Sequence, residues 1–331
     1  MKRILISRTD SIGDVILTLP MCVWLKDHFI DAELIYLGKG YTRPVVECFS
    51  VIDRFIDWEE ISVLPTAEKT AFFIELNVDA IIHVFPNKEI ASLAKKVKIP
   101  MRIGTSHRSF HLLTCNQRVG FSRKNSDLHE SQLNFELLRP LGLKNIPNLA
   151  EMEDSLHAFR IPQETLPDDL QHLLATNDKT VILHPKSQGS AVEWPLGSYI
   201  SLAEKLSHKG YTIFFTGTEK EGLLFRNQLP DNEKIIDVSG KMTLTQLIQF
   251  ISQCKNLVAC STGPLHIAGF CGIRAVGLFS PKKPIHPGRW AALGRNVRIL
   301  VNDENCPECK KKKHCTCIQK IAVDKVLAQI A

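Results

Sequence analysis

The feature of this 331-residue sequence that most constrains its fold is residues 258–269, Val-Ala-Cys-Ser-Thr-Gly-Pro-Leu-His-Ile-Ala-Gly. An apolar run that ends at Cys260 predicts a buried strand, and the polar residues after it predict a tight turn. Pro264 suits the first position of the next helix, because the N–H that it lacks has no partner there. A second apolar strand is predicted at residues 274–279. Two strands joined through a helix pair in parallel, and such units bind ligands at the carboxyl ends of their strands.

The turn of this unit, Ser261, Thr262 and Gly263, is a candidate phosphate site. Its backbone N–H groups and the positive end of the helix dipole both attract anions. An ordinary strand-to-helix turn has the same pattern, so the interpretation depends on whether the remaining chain also forms parallel units.

The remaining chain alternates apolar strands with amphipathic helices. Strands are predicted at residues 3–7, 32–37, 54–57, 78–85 and 101–104, and again at residues 180–184, 211–216, 235–238 and 257–260. Helices are predicted between them, among them residues 15–29, 126–141 with Ser126 as N-cap, and 317–331. This alternation predicts an α/β fold of two Rossmann-like domains with an interdomain cleft, because strands separated by helices form parallel sheets.

The alternation is interrupted at residues 145–178, which contain three prolines and several acidic residues but no clear periodicity. We therefore expect a first Rossmann-like domain over residues 1–160, a second over residues 161–316, and a C-terminal helix over residues 317–331. Neither half has a Gly-x-Gly-x-x-Gly motif after its first strand, which weakens a dehydrogenase interpretation. Glycosyltransferases, sugar-nucleotide epimerases and periplasmic binding proteins remain compatible with two such halves.

Composition limits the partners and the compartment. The chain is 44% hydrophobic and 23% charged, which is typical of a globular protein, and its net charge of +6 favours anionic partners. The apolar run at residues 15–25 is too short to span a membrane, and Asp10 and Asp14 interrupt any signal-peptide core. We expect a cytoplasmic protein with most of its cysteines reduced.

Asp14 is the candidate catalytic residue of the first half. It follows Gly13 at the predicted start of a helix, where a carboxylate could act as general base towards an acceptor hydroxyl. An Asp is also favoured there simply by the helix dipole. Asp10 is the alternative base.

The second half offers further polar groups after its strands. Lys186, Ser187 and Gln188 follow the strand at residues 180–184 and could bind phosphate, although polar loops are common at such places. Glu221 could bind ribose hydroxyls or cap the next helix. Met242 could face an adenine or be a packing residue.

Several of these residues belong to segments that resemble a known family. Residues 8–20, Arg-Thr-Asp-Ser-Ile-Gly-Asp-Val-Ile-Leu-Thr-Leu-Pro, are similar to the N-terminal signature of glycosyltransferase family nine, the bacterial heptosyltransferases of lipopolysaccharide core synthesis. The resemblance continues in order through His184-Pro185, Trp194-Pro195, residues 240–244, residues 261–266 and residues 278–281.

This resemblance implies a function and a set of site residues. It implies two facing Rossmann-like domains, with a nucleotide-sugar donor in the second, an acceptor in the first, and a C-terminal helix that crosses back to the first domain. It also implies inversion at the anomeric carbon with no metal or other cofactor required. Asp14 falls on the base of the family, and Arg8, Asp10 and Arg102 are expected on the acceptor side. The residues expected at the donor are Lys186, Ser187, Gln188, Glu221, Met242, Ser261, Thr262, Gly263 and His266.

The default function is therefore transfer of heptose from ADP-heptose to a lipopolysaccharide-core or related anionic glycolipid, with peripheral contact at the inner membrane face. Val192 stands where the family often has a phosphate-binding Lys, and Ser261 where some members have an Asp. Lys186 or Lys241 could replace the missing Lys. These departures leave open another nucleotide sugar and another cell-surface glycan.

Basic residues of the first half could meet the acceptor or form a solvated face: Lys95, Lys96, Lys98, Arg102, His107 and Arg108. A non-enzymatic, basic nucleic-acid-binding protein is the remaining alternative. It is not expected, because aromatic residues make up only 7% of the chain and the Lys run is short.

Four cysteines near the C-terminus, Cys306, Cys309, Cys315 and Cys317, frame a short basic run. A Cys-x-x-Cys pair with two further cysteines can hold a structural zinc ion, whereas a disulfide or reduced thiols are the alternatives. We expect this cluster to stabilise the fold, far from the transferred sugar, and to take no part in the chemistry.

Overall fold

The structure is a computed structural model that describes residues 1–123, 126–311 and 316–330. The contacts within the chain form two compact units, Met1–Arg160 and Ile161–Ala331. Each unit contains a parallel sheet with helices on its faces.

The first sheet consists of β1 (Arg3–Ser7), β2 (Glu33–Gly38), β3 (Arg54–Asp57), β4 (Ala80–His83), β5 (Met101–Thr105) and β6 (Gln117–Val119). These strands lie in the order β3-β2-β1-β4-β5-β6, and all their pairings are parallel. Most of their side chains are fully buried, as expected for a sheet that is covered by helices.

The second sheet consists of β7 (Thr180–His184), β8 (Thr212–Phe215), β9 (Ile235–Asp237), β10 (Asn256–Cys260), β11 (Arg274–Phe279) and β12 (Val297–Val301). The order β12-β11-β10-β7-β8-β9 repeats that of the first sheet, again with parallel pairing throughout. The α/β fold class expected from the sequence, with two Rossmann-like domains, is confirmed.

The helices of the first unit are α1 (Ile12–Ile16), α2 (Leu19–His28), α3 (Arg43–Glu47), α4 (Trp58–Ser62), α5 (Thr66–Leu76), α6 (Lys88–Lys96), α7 (Ser109–Thr114), α8 (Glu130–Glu136) and α9 (Leu149–Glu153). Short 3-10 turns occupy Gly40–Thr42, Arg139–Leu141 and Asp154–Ala158.

The helices of the second unit are α10 (Asp168–Thr176), α11 (Leu196–His208), α12 (Glu219–Gly222), α13 (Leu244–Gln253), α14 (Gly263–Phe270), α15 (Pro287–Trp290), α16 (Pro307–Lys310) and α17 (Val323–Leu327). Two 3-10 turns are Arg226–Gln228 and Cys317–Lys320. Within the described residues, no helix has the length and apolar character needed to cross a membrane.

Two long helices predicted in the first unit are shorter than expected. The helix predicted over residues 126–141 begins at Glu130, where the His129 side chain accepts from the N–H of Ser131 at 3.3 Å, so Ser126 is not its N-cap. It ends at Glu136, four residues before Pro140, which has no N–H to donate to the Glu136 carbonyl as a continuing α-helix would require. The helix predicted over residues 15–29 is divided into α1 and α2.

The C-terminal residues differ more from expectation. Residues after 316 form a 3-10 turn and the short α17 rather than one helix, and they belong to the second unit. Ile318, Ile321 and Val326 are buried in the core of that unit, and Trp194 Nε1 donates to the carbonyl O of Ile321 at 3.0 Å. These apolar side chains are buried against α11 and its neighbours, and the expected crossing back to the first domain stays a prediction.

Candidate active site

Most of the polar residues predicted from the sequence lie at one edge of each sheet, where the strands have their carboxyl ends. In the first sheet β1 and β4 are neighbours, with Ser7 paired to His83, and in the second sheet β7 and β10 are neighbours. At each of these pairs the strand order reverses, so the loops that follow the two strands diverge and leave a crevice. This crevice is the usual ligand site of a doubly wound sheet.

Asp14 lies in α1, just beyond the carboxyl end of β1. Its Oδ1 accepts a hydrogen bond from the Arg8 guanidinium, with which it forms an ion pair, and its Oδ2 accepts one from the Ser11 hydroxyl at 2.5 Å. The Thr18 hydroxyl donates to the backbone O of Asp14 at 2.9 Å. These bonds orient the carboxylate, and because 16% of the side chain stays exposed, a substrate hydroxyl can approach it.

Arg8 is the buried centre of this network, with only 2% of its side chain exposed. Its two terminal nitrogens each lie 3.3 Å from Glu130 Oε1, and Nη1 also lies 3.3 Å from Asn134 Oδ1. Arg123 pairs with Glu130 as well, and its Nη2 donates to Asn134 Oδ1 at 3.0 Å. Sequence reasoning missed Glu130, Arg123 and Asn134, because no local pattern joins them to Arg8.

Asp10 lies near the same Arg8 guanidinium as Asp14 but makes different contacts. Its Oδ2 lies 3.7 Å from Arg8 Nη2, and its Oδ1 accepts from the N–H of Ser11 at 3.0 Å. Burial, with the negative charge of Asp14 as the next cause, raises the pKa of the Asp10 carboxyl above its ordinary value. The two carboxylates therefore differ: Asp14 has the direct Arg8 contact, whereas Asp10 retains its proton to a higher pH than an ordinary Asp.

Arg102 is not part of this group. It is the second residue of β5, and its guanidinium donates to the carbonyl O of Thr114 at 2.8 Å and to that of Ile99. Its side chain thus connects the segments that precede and follow β5, and its expected place on the acceptor side stays a prediction.

His83, at the end of β4, is an unusual buried group. Its two ring nitrogens have no hydrogen-bond partner among the described residues, and its ring centroid lies 5.4 Å from that of His111. Burial, with His111 as a second cause, lowers the pKa of His83 to about 3. His83 is therefore a neutral imidazole beneath the first crevice.

The second crevice contains the turn on which the sequence analysis began. α14 begins at Gly263, one residue earlier than expected, so Pro264 is its second residue and Thr262 its N-cap. The Thr262 hydroxyl donates to the carbonyl O of Cys260, two residues earlier, at 3.3 Å. The Thr262 side chain therefore does not cap the N-terminus of α14. It thus does not occupy the N–H groups of the first turn, which suits a helix end that binds phosphate. His266 is buried in the same helix.

The loop after β7 approaches the same strand end. The Trp194 N–H donates to Cys260 Sγ at 3.3 Å, and the Tyr199 hydroxyl lies 3.7 Å from the same sulfur. These contacts hold the loop that contains Lys186, Ser187 and Gln188 next to Cys260, the residue before the candidate phosphate turn. The predicted donor residues after β7 and β10 therefore lie at one edge of one sheet.

Glu193 organises that loop. Its Oε1 accepts from the Ser187 N–H at 2.9 Å, and its Oε2 pairs with Lys186 Nζ at 3.1 Å. Gln188 has a positive φ of 50°, as has Gly189 at 83°, which reverses the chain tightly between these contacts. The charge of Lys186 is thus partly neutralised within its own loop.

Lys241, the other candidate replacement for the missing family Lys, is also paired. Its Nζ lies 3.4 Å from Asp169 Oδ2, and both side chains are exposed. Met242 follows it, half-buried before α13. This position is compatible both with a packing role for Met242 and with a contact to the adenine of a nucleotide.

Glu221 has a structural role that was one of its two predicted alternatives. Its Oε2 accepts from the N–H of Thr218 at 2.7 Å and from the Thr218 hydroxyl at 2.9 Å, which closes a capping box at the start of α12. His184, at the end of β7, lies nearby. Its Nδ1 is 3.0 Å from Thr216 Oγ1, and burial lowers its pKa.

The tail cysteines lie in the second unit. Cys306, Cys309 and Cys317 are buried with their Sγ atoms within 4.8 Å of one another, whereas Cys315 lies outside the described residues.

Comparison with known proteins identifies the family. The family model described as glycosyltransferase family 9 (heptosyltransferase) matches residues 75–319. Lipooligosaccharide heptosyltransferase 2 of Campylobacter jejuni serotype O:2 is 23% identical over 333 residues, which are 96% of this chain and 94% of that protein.

Two solved structures share the fold. The ADP-heptose lipopolysaccharide heptosyltransferase II of E. coli has a TM-score of 0.74 at 17% identity, covering 99% of this chain and 97% of that one. The E. coli heptosyltransferase WaaC with ADP has a TM-score of 0.71 at 17% identity, covering 98% of this chain and 97% of that one.

The two sheets of this chain thus correspond to the two Rossmann-like domains of the GT-B fold that these solved structures have. The family match extends over most of the chain. The protein is thus a glycosyltransferase, and it belongs to glycosyltransferase family 9, the heptosyltransferases.

Proposed function

We propose that this enzyme transfers heptose from ADP-heptose to the core of a lipopolysaccharide or to a related anionic glycolipid, with inversion at the anomeric carbon. Family membership supports glycosyl transfer, and the relatives named as lipooligosaccharide heptosyltransferases support the sugar and the acceptor. The structural neighbour described with ADP supports an adenine nucleotide in the donor.

The observation that carries the proposal is the oriented Asp14 carboxylate at the end of β1. Arg8 binds one of its oxygens and Ser11 the other, which leaves free lone pairs on a partly exposed carboxylate. A carboxylate positioned in this way can take a proton from a hydroxyl that lies within hydrogen-bond reach.

The reaction follows from that proton transfer. Asp14 takes the proton of the acceptor hydroxyl while the oxygen of that hydroxyl bonds to the anomeric carbon of the donor. The bond between that carbon and the diphosphate oxygen breaks, and its electron pair leaves with the nucleoside diphosphate. Because attack and departure occur on opposite faces of the carbon, one displacement inverts the configuration.

The donor residues stabilise the leaving group in this proposal. The N–H groups of the Ser261–Thr262–Gly263 turn and the dipole of α14 face a departing diphosphate, and they supply charge stabilisation with no metal bound to substrate. Ser187, Gln188 and Lys186 approach the diphosphate from the loop after β7, while Met242 and His266 border the nucleoside.

The acceptor residues suggest an anionic glycolipid. His107, Arg108 and Arg118 are exposed around α7, and two leucines of that helix, Leu112 and Leu113, are 53% and 74% exposed. Basic groups beside exposed apolar side chains favour the surface of an anionic membrane, where such an acceptor would be presented. Arg8 is too buried to bind the acceptor, so we assign it to orienting Asp14.

A donor panel tests this function. Thermal shift with nucleoside diphosphates should rank ADP first, and a nucleotide at a hundred times its Kd should stabilise the protein by about 2.7 kcal/mol. Purified heptose-deficient lipopolysaccharide should then gain the mass of one heptose in the presence of ADP-heptose.

A preference for another nucleotide sugar would exclude ADP-heptose as the donor and retain glycosyl transfer. Val192 and Ser261, which replace a basic and an acidic residue of other family members, are the positions where such a preference would originate. Retention rather than inversion in the product would contradict the single displacement.

A further inference from the structure

The second unit contains a cluster of reactive side chains outside the donor residues. Cys306 immediately precedes α16, Cys309 lies within that helix, and Cys317 begins the following 3-10 turn. Their Sγ atoms all lie within 4.8 Å of one another, and the residues are only 6%, 2% and 4% exposed. The fold therefore brings together three thiols from two separate short segments.

The separation of the sulfurs fits a shared metal ion. A Zn–S bond of about 2.3 Å in a tetrahedral site places the sulfurs about 3.8 Å apart, within the upper limit seen here. A disulfide would join two of the three at about 2.05 Å and would not account for the third sulfur beside them. Thiolates are the ligands that zinc and other soft divalent ions prefer.

We propose that Cys306, Cys309 and Cys317 bind a soft divalent metal ion, zinc or ferrous iron, and that this ion fixes the donor-side edge of the second sheet. Each thiol would lose its proton to solvent as its sulfur bonds to the metal. The ion would contact no substrate and take part in no bond change.

One connection to that edge passes through Ser280. The Cys309 Sγ lies 3.6 Å from the Ser280 hydroxyl, and Ser280 follows the last residue of β11. β11 pairs with β10, with Leu278 opposite Cys260, so Ser280 and the turn that begins at Ser261 lie at the same edge. The cluster therefore contacts the strand end beside the candidate phosphate turn, and its expected distance from the transferred sugar stays a prediction.

A second connection passes through the core. Ile318, next to Cys317, is packed in the same cluster as Trp194, whose ring N–H donates to the carbonyl O of Ile321. The backbone N–H of Trp194 donates to Cys260 Sγ, immediately before the turn. Fixing Cys317 thus restrains the residues that hold Cys260.

Metal analysis tests the site independently of activity. The full chain, purified under reducing conditions without chelator or metal-affinity steps, should contain about one equivalent of zinc or iron. Cys309→Ser should contain much less and should melt at a lower temperature. Cys271→Ser is the matched control in the same unit, and it should keep the metal content of the wild type.

Two results would overturn the metal site. One is wild-type protein that contains neither metal and takes up no added Zn²⁺ after full reduction. The other is a thiol titration of the denatured, unreduced protein that shows two thiols fewer than the sequence contains, which would indicate a disulfide instead.

The link to the donor edge rests on the proposed donor site, so it needs its own measurement. Wild-type protein stripped of metal by a chelator should bind ADP several-fold more weakly, and added Zn²⁺ should restore the affinity. This comparison does not require Cys309→Ser to fold. Unchanged ADP affinity in metal-free protein would refute the link. A protein that binds metal but not ADP would refute the proposed donor instead.

Discussion

At the scale of single residues, the strongest physical contrast lies between Asp14 and Asp10. Both follow β1, but Asp14 accepts bonds from Arg8 and Ser11 on its two oxygens, whereas burial and the charge of Asp14 raise the pKa of Asp10. A general base must be ionised and directed towards the proton that it takes. This contrast favours Asp14 over Asp10 as the base.

Replacing Asp14 should therefore remove turnover while leaving the fold intact. We expect Asp14→Asn to lower kcat by about a hundredfold or more, the usual scale for loss of a general base, with ADP affinity unchanged. Asp10→Asn is the matched control and should keep most of the turnover. Steady-state kinetics and calorimetry measure the two quantities, and a large loss in Asp10→Asn alone would reverse the assignment.

His83 should make the first unit sensitive to acid. Its pKa of about 3 in the folded state lies below the ordinary value of 6.5, so the unfolded state binds the proton first. The stability that His83 contributes is complete above pH 6.5 and is lost as the pH falls towards 3. Between these limits the free energy of opening should fall by about 1.36 kcal/mol per pH unit on account of this group.

Amide hydrogen exchange of β1 and β4 measures that dependence. His83→Phe should reduce the pH dependence of the opening free energy by about one proton. An unaltered slope in His83→Phe would mean that the imidazole is already protonated, or is hydrated, in the folded protein.

At the scale of elements, the loop between β7 and α11 contains a basic and an acidic side chain that pair with each other. Glu193 accepts a hydrogen bond from the Ser187 N–H and pairs with Lys186. It directly follows Val192, the position where the family resemblance leads us to expect a phosphate-binding Lys. Whether Lys186 serves the donor depends on competition between this carboxylate and a phosphate. The loop is therefore a place where one carboxylate tunes donor affinity.

Glu193→Gln should strengthen ADP binding. The amide oxygen can still accept from the Ser187 N–H, so the loop keeps its shape, while Lys186 loses its anionic partner. We expect an affinity gain of about twofold to fivefold, the range of a partly exposed ion pair, and a smaller gain at high salt. The double variant with Lys186→Met should lose the gain, and calorimetry that shows no gain in Glu193→Gln would place Lys186 away from the phosphates.

The elements also show how far the sequence could predict this molecule. The strands were predictable, because buried parallel strands are short apolar runs bounded by polar turns, and the runs before Arg8, Lys186 and Ser261 are of this kind. The length of α8 was not, because the apolar periodicity continues through Pro140 while the hydrogen bonding does not. Helix ends depend on local backbone geometry that periodicity does not contain.

The first site was predictable only in part, for a related reason. Asp14 and Asp10 stand in a motif within one short segment, but Glu130 reaches Arg8 across 122 positions of the chain. No spacing rule relates two residues that meet only when a helix packs on the sheet. Arg102 was expected on the acceptor side, and its guanidinium donates to two backbone carbonyls, which no sequence pattern indicates.

At the scale of the whole molecule, two units with the same strand order have different polar groups at the same topological position. The reversal between β1 and β4 is followed by carboxylates and the buried Arg8, and that between β7 and β10 by a turn, a helix end and hydroxyl groups. A carboxylate suits proton transfer, whereas free N–H groups suit a diphosphate. The two units therefore divide the proposed reaction between them.

This division predicts where ADP alone should act. Each unit has its own buried core, so nucleotide binding at the second crevice should raise the free energy of local opening there and leave the first sheet unaffected. Hydrogen exchange of the full chain with ADP at a hundred times its Kd should show protection of about 2.7 kcal/mol in residues 261–267, with weaker protection in residues 186–190. Residues 8–14 should exchange as they do without nucleotide.

Two variants make that experiment decisive. Asp14→Asn should give the same protection as the wild type, because its carboxylate serves the acceptor. Gly263→Val should abolish the protection, because a branched side chain at the first residue of α14 occupies the space that a phosphate needs beside the N–H groups. Protection by ADP at residues 8–14, with none at residues 261–267, would assign the nucleotide to the first unit and reverse the roles proposed for the two.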